Sequence, residues 1–153
     1  NGPQSMHMYA PEIARWSTAL NDALRFKSAL SDHDVELAIC TAAREMDCEY
    51  VWASHAAAAL KAGVRQEAID IVANQASLDG LTKEEATIVR YGREVIGDHE
   101  LSQEAFDGAI AQFGEADTIT LGALMGYYLM IACTLIATDV RPGEGTPVLP
   151  KRT

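Results

Sequence analysis

Basic residues and cysteines are both scarce in this sequence. Twelve lysines and arginines face twenty-two aspartates and glutamates, which gives a formal net charge of -10. Such a chain repels phosphate backbones and anionic lipid, so we expect no nucleic-acid partner. The three cysteines cannot all pair and follow no secreted disulfide spacing, which favours a reducing, cytoplasmic environment. No cluster of residues with metal-ligand spacing is present either, so we expect no metal site.

Long apolar runs are almost absent, and the exception is residues 119–138, a stretch of uncharged residues long enough to cross a membrane. Its flanks are Asp117 and Asp139 rather than basic residues, and Tyr127 and Tyr128 lie in its middle instead of at an interface. We therefore expect a buried helix and no membrane span. Burying every face of such a helix in a small domain requires a second subunit, which predicts self-association.

Strand-like alternation is also missing beyond a few residues, while apolar residues recur at helical spacing. The pattern predicts an all-α, single-domain bundle of about seven helices over residues 1–141. Residues 142–153 form a Pro/Gly-rich tail that we expect to be extended and to lie on a neighbouring subunit. The first helix is predicted from Pro11 to about Leu30, with apolar residues along one side. These are Ile13, Trp16, Leu20 and Leu24.

Several residues have the chemistry of helix ends. Asp47 follows the second predicted helix and is expected to cap the third through its carboxylate, and Gly63 is expected to end that third helix. Thr82 and Glu85 have the spacing of a capping box, and Ser102 is a candidate N-cap for the sixth helix. Local chemistry therefore predicts where most of the helices begin.

The stretch that begins at Cys48 contains the candidate chemistry. His55 follows Cys48 by seven residues, two helical turns, so both side chains lie on one otherwise apolar face. A cysteine in the first turn of a helix is favoured as thiolate by the free N–H groups and the macrodipole. A hairpin bend at Asp47 can return Glu36 of the preceding helix to that face, where its carboxylate could exchange protons with His55. From spacing alone, each of these residues also has a purely structural interpretation, as a buried core filler or a solvated glutamate.

At these residues the sequence resembles the carboxymuconolactone decarboxylase and alkyl hydroperoxidase D superfamily of small all-α proteins. The peroxidase branch carries a glutamate, eleven residues, then Cys-x-x-Cys-x-x-x-His, and Glu36, Cys48, Val51 and His55 fall in register with that motif. The surrounding "ELAICTAAREMDCEYVWASHAAAALKAGV" is similar to the core of the family, and the resemblance covers roughly the first half of the chain. Since members usually have further residues upstream, we expect that the true N-terminus precedes Asn1.

The departure from the motif bears on the expected activity. Val51 leaves Cys48 without a neighbouring resolving thiol, so the resemblance implies the branch that decarboxylates carboxylated lactones in the breakdown of aromatic compounds, without a cofactor. It implies Glu36, Cys48 and His55 as catalytic residues, with Glu36 and His55 as a proton relay and Trp52 as a candidate pocket wall. The resemblance further implies a homotrimer or a hexamer.

An arginine would suit a substrate carboxylate, and four are available: Arg25, Arg44, Arg90 and Arg93. Two other classes of function stay open. One is a thiol-dependent peroxidase or oxidoreductase that uses Cys48 with a distant or external thiol, and the other is a non-catalytic oligomer that binds a small ligand.

Overall fold

The computed structural model describes residues 9–152, and their regular structure is helical throughout, which confirms the all-α prediction. Six α-helices follow one another. They are α1 (Pro11–Phe26), α2 (Asp32–Glu45), α3 (Glu49–Lys61), α4 (Gln66–Asn74), α5 (Lys83–Gly92) and α6 (Gln103–Ala137). A short 3-10 helix (Leu78–Gly80) precedes α5, and a π-helical turn (Arg93–Asp98) continues from its end.

Helix α2 occupies the centre of the bundle. It packs against α3, α4, α5 and α6, and every residue from 35 to 44 is buried. The sequence pattern predicted such all-round burial for residues 119–138 instead, but several side chains there are exposed, including Ile119, Met130 and Ile136. A polar side chain between residues 35 and 44 of α2 therefore lies in the protein interior whichever way it points, and Glu36 is one of these.

Most predicted helix ends are confirmed. Ser102 accepts a hydrogen bond from the Ala105 N–H, and Thr82 and Glu85 form the complete capping box. Gly63 has φ +91°, the left-handed conformation that ends a helix, directly after α3.

The prediction for Asp47 is wrong, because Cys48 occupies the N-cap position of α3. Asp47 itself has φ +50°, and its carboxylate pairs with Arg44 and Arg152. These two arginines draw the carboxylate away from the first turn of α3, so the predicted capping hydrogen bond does not form.

The sixth and seventh predicted helices are joined into α6. They meet at Gly114, whose φ of 74° and ψ of 175° are not helical and mark a kink. The helix is the one element among the described residues that is long and apolar enough to cross a membrane. Such a test is also met by core helices of soluble proteins, and α6 packs here against α1, α2, α3 and α5.

Helix α1 differs from its prediction in two ways. It ends at Phe26 rather than near Leu30, and of its apolar stripe only Leu24 is buried. Ile13, Trp16 and Leu20 are 58%, 62% and 45% exposed. The opposite side of α1 faces α6, where the Ser17 hydroxyl and the Tyr127 phenol share a buried hydrogen bond of 3.0 Å. The strongly amphipathic helix therefore turns most of its apolar stripe outward.

The C-terminal tail has no regular secondary structure, and its last described residues lie against their own chain. Leu149 is buried in the core, and the Pro150 carbonyl accepts a 2.6 Å hydrogen bond from the buried guanidinium of Arg44. Arg152 donates to the backbone carbonyls of Arg44 and Glu45 at the end of α2. The tail thus fastens to the loop between α2 and α3.

Candidate active site

Glu36 lies at the centre of the candidate site. It is 5% exposed, and each of its carboxylate oxygens has one partner from a different helix. Oε1 accepts from Arg25 Nη2 of α1 at 2.6 Å, and Oε2 contacts His55 Nδ1 of α3 at 2.7 Å. We call these three residues the Glu36 cluster. Three helices therefore bring an arginine, a carboxylate and an imidazole into one hydrogen-bonded chain.

The carboxylate decides the tautomer of His55. An ionised carboxylate can only accept a hydrogen bond, so Nδ1 of His55 carries the proton that it donates to Glu36. In a neutral imidazole the lone pair is then on Nε2, which makes that nitrogen the basic one. Arg25 holds the other carboxylate oxygen, so Glu36 is fixed from both sides. The geometry is that of a base oriented by a carboxylate.

Aromatic side chains of α6 complete the surroundings of His55. The Tyr128 ring meets the imidazole edge to face, with ring centroids 5.0 Å apart and planes at 82°. Tyr127 meets Tyr128 in the same manner at 5.3 Å. Burial raises the pKa of the Tyr128 phenol, and Arg25 opposes the increase while the charge of Glu36 adds to it. The phenol of Tyr128 therefore stays protonated and lies within electrostatic range of the Glu36 cluster.

Cys48 does not join this cluster. It lines a separate cavity of about 270 Å³ between the start of α3 and the end of α6, together with Leu135, Ile136 and Val140. Two helical turns separate it from His55 along α3, a rise of about 10 Å. The expectation that the helix start favours the thiolate is wrong: burial raises the pKa of Cys48, although the N–H groups of Val51 and Tyr50 act to lower it. At 2% exposure the thiol is an interior group.

The four candidate arginines are separated by their partners. Arg25 alone is part of the Glu36 cluster. Arg44 binds the tail, Arg90 pairs with Glu104, and Arg93 donates to the carbonyls of Ala76 and Ile71. Their charges serve the packing of other elements, so Arg25 is the one cationic side chain of the four at the site.

Trp52, the candidate pocket wall, is buried beside a cavity of about 190 Å³ that it shares with Ala56, Leu60 and Pro147 under the tail. The residues that line this cavity do not include His55 or Glu36. Among residues 9–152, no group of three or more histidine, cysteine or acidic side chains could hold a metal ion.

Comparison with known proteins agrees with this arrangement of helices. A family model described as the carboxymuconolactone decarboxylase family matches residues 11–94, more than half of the chain. The chain belongs to this family. The matched region runs from the start of α1 into the π-helical turn and contains the whole Glu36 cluster, whereas Tyr128 lies outside it. A search of curated proteins found no match. Membership supports a decarboxylase-like or peroxidase-like activity in general terms.

Two residues of the site are not predicted by the sequence pattern. Arg25 is one of four arginines that the pattern leaves equivalent, because nothing in the sequence indicates that the end of α1 lies close to Glu36. Tyr128 falls inside a helix that the pattern marks only as apolar. Two adjacent tyrosines inside an uncharged run are the available signal, since a buried phenol usually needs a polar partner.

Proposed function

We propose that this member of the family is a carbon–carbon lyase that decarboxylates a small carboxylated lactone or a related carbonyl compound by proton transfer, without a cofactor. The observation that carries the proposal is the Glu36 cluster, in which a buried carboxylate holds one imidazole nitrogen at 2.7 Å and an arginine at 2.6 Å. Such a chain fixes the orientation of the imidazole and of its Nε2 atom, which a general acid or base requires.

The proposed step uses His55 in its protonated form. The bond from the substrate carbon to its carboxylate breaks, carbon dioxide leaves, and the electron pair remains on carbon, delocalised into the adjacent carbonyl. Nε2–H of His55 then donates its proton to that carbon, and water restores the proton to the imidazole. Glu36 accepts the Nδ1–H hydrogen bond and so orients the imidazole for the transfer, and Arg25 keeps Glu36 in place.

The substrate class follows from the chemistry of the step. A carbonyl next to the carboxylated carbon is needed, because an undelocalised carbanion would be too unstable to form. Aromatic breakdown produces compounds of this kind, and we propose that the substrate belongs to that class. The net charge of -10 gives no long-range attraction for an anion, so the substrate must be selected by contacts close to His55.

Thiol chemistry is the second candidate, and the position of Cys48 weighs against it. The thiol is buried, its pKa is raised by that burial, and Val51 occupies the position of a resolving cysteine. A non-catalytic ligand binder would keep the fold but would not need a carboxylate paired with an imidazole inside it. A screen for activity distinguishes both alternatives from the lyase.

Self-association is part of the proposal, as a homotrimer or a hexamer in the cytoplasm. Its support is the outward stripe of α1 formed by Ile13, Trp16 and Leu20, together with exposed Ile119 and Met130 on the adjacent α6. A second copy would cover both. The free cysteines of the described chain fit a reducing compartment.

Trp16→Glu should lower the sedimenting mass relative to wild type, and Val148→Glu, on the exposed tail, serves as the matched control. A monomeric wild type at micromolar concentration would contradict self-association.

The test of the activity is a screen of carboxylated lactones and β-keto acids for carbon dioxide release, run beside an assay of peroxide consumption with a thiol reductant. We expect carbon dioxide release that His55→Ala abolishes and Cys48→Ser leaves in place. Peroxide consumption that depends on Cys48 would instead support the oxidoreductase. Absence of both activities in a folded protein that still binds a screened compound would support the ligand binder.

A further inference from the structure

Tyr128 belongs to the C-terminal half of the chain, which the family match does not reach, yet its ring contacts His55. His55 has two restraints that act on different parts of its ring. The hydrogen bond to Glu36 fixes the position of Nδ1 but leaves the ring free to turn about that contact. A second contact is needed to set the plane of the imidazole, and the Tyr128 ring supplies it at 5.0 Å and 82°.

Tyr128 is itself held in place by its neighbour. Tyr127 meets it edge to face at 5.3 Å, and the Tyr127 hydroxyl shares a buried hydrogen bond with Ser17. Helices α1 and α6 therefore both contribute to the site, since α1 carries Ser17, which holds Tyr127, and Arg25, which holds Glu36. Edge-to-face pairs of this kind favour one mutual orientation of the rings over others.

We propose that Tyr128 is a positioning residue, whose ring holds the imidazole of His55 in the plane that keeps Nδ1 on Glu36. This assignment rests on the proposed function of His55 but goes beyond it, because it names a residue on another helix that acts through the imidazole. The aromatic ring carries the effect, so phenylalanine should replace tyrosine and an aliphatic side chain should not.

The test needs no substrate, which separates it from the proposed reaction. The rate at which the His55 Nδ1 proton exchanges with water is measured by nuclear magnetic resonance in wild type, Tyr128→Phe and Tyr128→Leu. We expect Tyr128→Phe to stay within about twofold of wild type and Tyr128→Leu to exchange roughly threefold to tenfold faster, the range expected for loss of an aromatic pair. The indole N–H of Trp52, buried on the same helix α3, serves as the internal control for general opening of the fold.

Tyr128→Met, which fills similar space without a ring, replaces Tyr128→Leu if the latter fails to fold. Equal exchange of the Nδ1 proton in all variants would overturn the proposal, and so would an equal acceleration of His55 and Trp52. A change in Tyr128→Phe as large as in Tyr128→Leu would also overturn it, because the hydroxyl would then carry the effect. If the exchange rates follow the expected order while no decarboxylation is found, the positioning role stands and the proposed reaction fails.

Discussion

The molecule contains a second meeting of glutamate, arginine and histidine, and it differs instructively from the Glu36 cluster. We call it the Glu85 cluster, formed by Glu85, Arg65 and His33. Glu85 is as buried as Glu36, but both of its oxygens are used by Arg65, and one of them also accepts from the Thr82 N–H in the capping box. His33 Nε2 lies 3.8 Å from Glu85, and its Nδ1 faces Asp34 instead.

The comparison shows which feature separates a candidate catalytic carboxylate from a structural one. In the Glu85 cluster the carboxylate oxygens accept hydrogen bonds from the helix cap and from a partly exposed arginine. The carboxylate therefore holds the start of α5 in place and does not orient the histidine. In the Glu36 cluster one oxygen is reserved for an imidazole at hydrogen-bonding distance. Residue types are the same in both, and the geometry differs.

The largest expected effect tests this separation through matched amide substitutions. Glu36→Gln should lower turnover of the identified substrate by roughly a hundredfold or more, because the imidazole loses the carboxylate that orients it. Glu85→Gln should leave turnover within about twofold, since that carboxylate has no reacting partner. Steady-state kinetics with circular dichroism as the folding control measures both. Equal losses in the two variants would remove the distinction between the clusters.

The next largest effect is expected when the arginine of the Glu36 cluster is replaced, and the arginine of the Glu85 cluster serves as its control. Arg25→Gln should reduce kcat/KM by roughly tenfold, less than Glu36→Gln, because it loosens the carboxylate without removing its charge. Arg65→Gln should have no comparable effect on kcat/KM. An unchanged rate for Arg25→Gln would show that the hydrogen bond from His55 suffices to hold Glu36.

The Glu85 cluster should instead be visible in the pH dependence of stability. Burial by itself would raise the pKa of Glu85, but the hydrogen bonds from Arg65 and Thr82 and the charges of Arg65 and His33 outweigh it, and the net pKa is lowered. The stabilisation is therefore complete above the ordinary carboxyl pKa of the unfolded chain, roughly pH 4, and is lost as the pH falls through the lowered folded pKa.

Urea unfolding should then show that Glu85→Gln has a lower free energy of unfolding than wild type at pH 7. This difference should narrow as the pH falls below about 4, the ordinary carboxyl pKa. Glu84→Gln, on an exposed position in the same turn of α5, is the control and should show little deficit at either pH. A deficit of Glu85→Gln that stays constant with pH would mean that the amide disturbs packing and that charge is not the cause.

The smallest effect is expected at Cys48, which belongs to neither cluster. Cys48→Ser should change the turnover of a proton-transfer reaction by no more than roughly threefold, because the thiol lines a cavity apart from His55. Cys133→Ser, a change at the exposed cysteine of α6, is the matched control. An inactive Cys48→Ser variant together with an active His55→Ala variant would support thiol chemistry instead of proton transfer.

Features that depend on neighbours along the chain are predictable from the amino-acid sequence. The helical spacing of apolar residues, the capping box from Thr82 to Glu85, the N-cap at Ser102 and the helix end at Gly63 all involve groups within about one turn of each other, so local chemistry suffices to predict them. The register of Glu36 and His55 with the family motif is likewise a property of the sequence alone.

Packing between helices selects which of the remaining residues meet. Arg25 near the end of α1 meets Glu36 of α2, and Tyr128 reaches His55, far away in the sequence, because α6 packs on α3. No local pattern encodes either contact. At Cys48, packing between helices overrides an effect that local chemistry predicts. The start of a helix predicts a thiolate, but packing against α6 buries the sulfur, and the cost of placing a charge in the interior exceeds the stabilisation that the helix N–H groups provide.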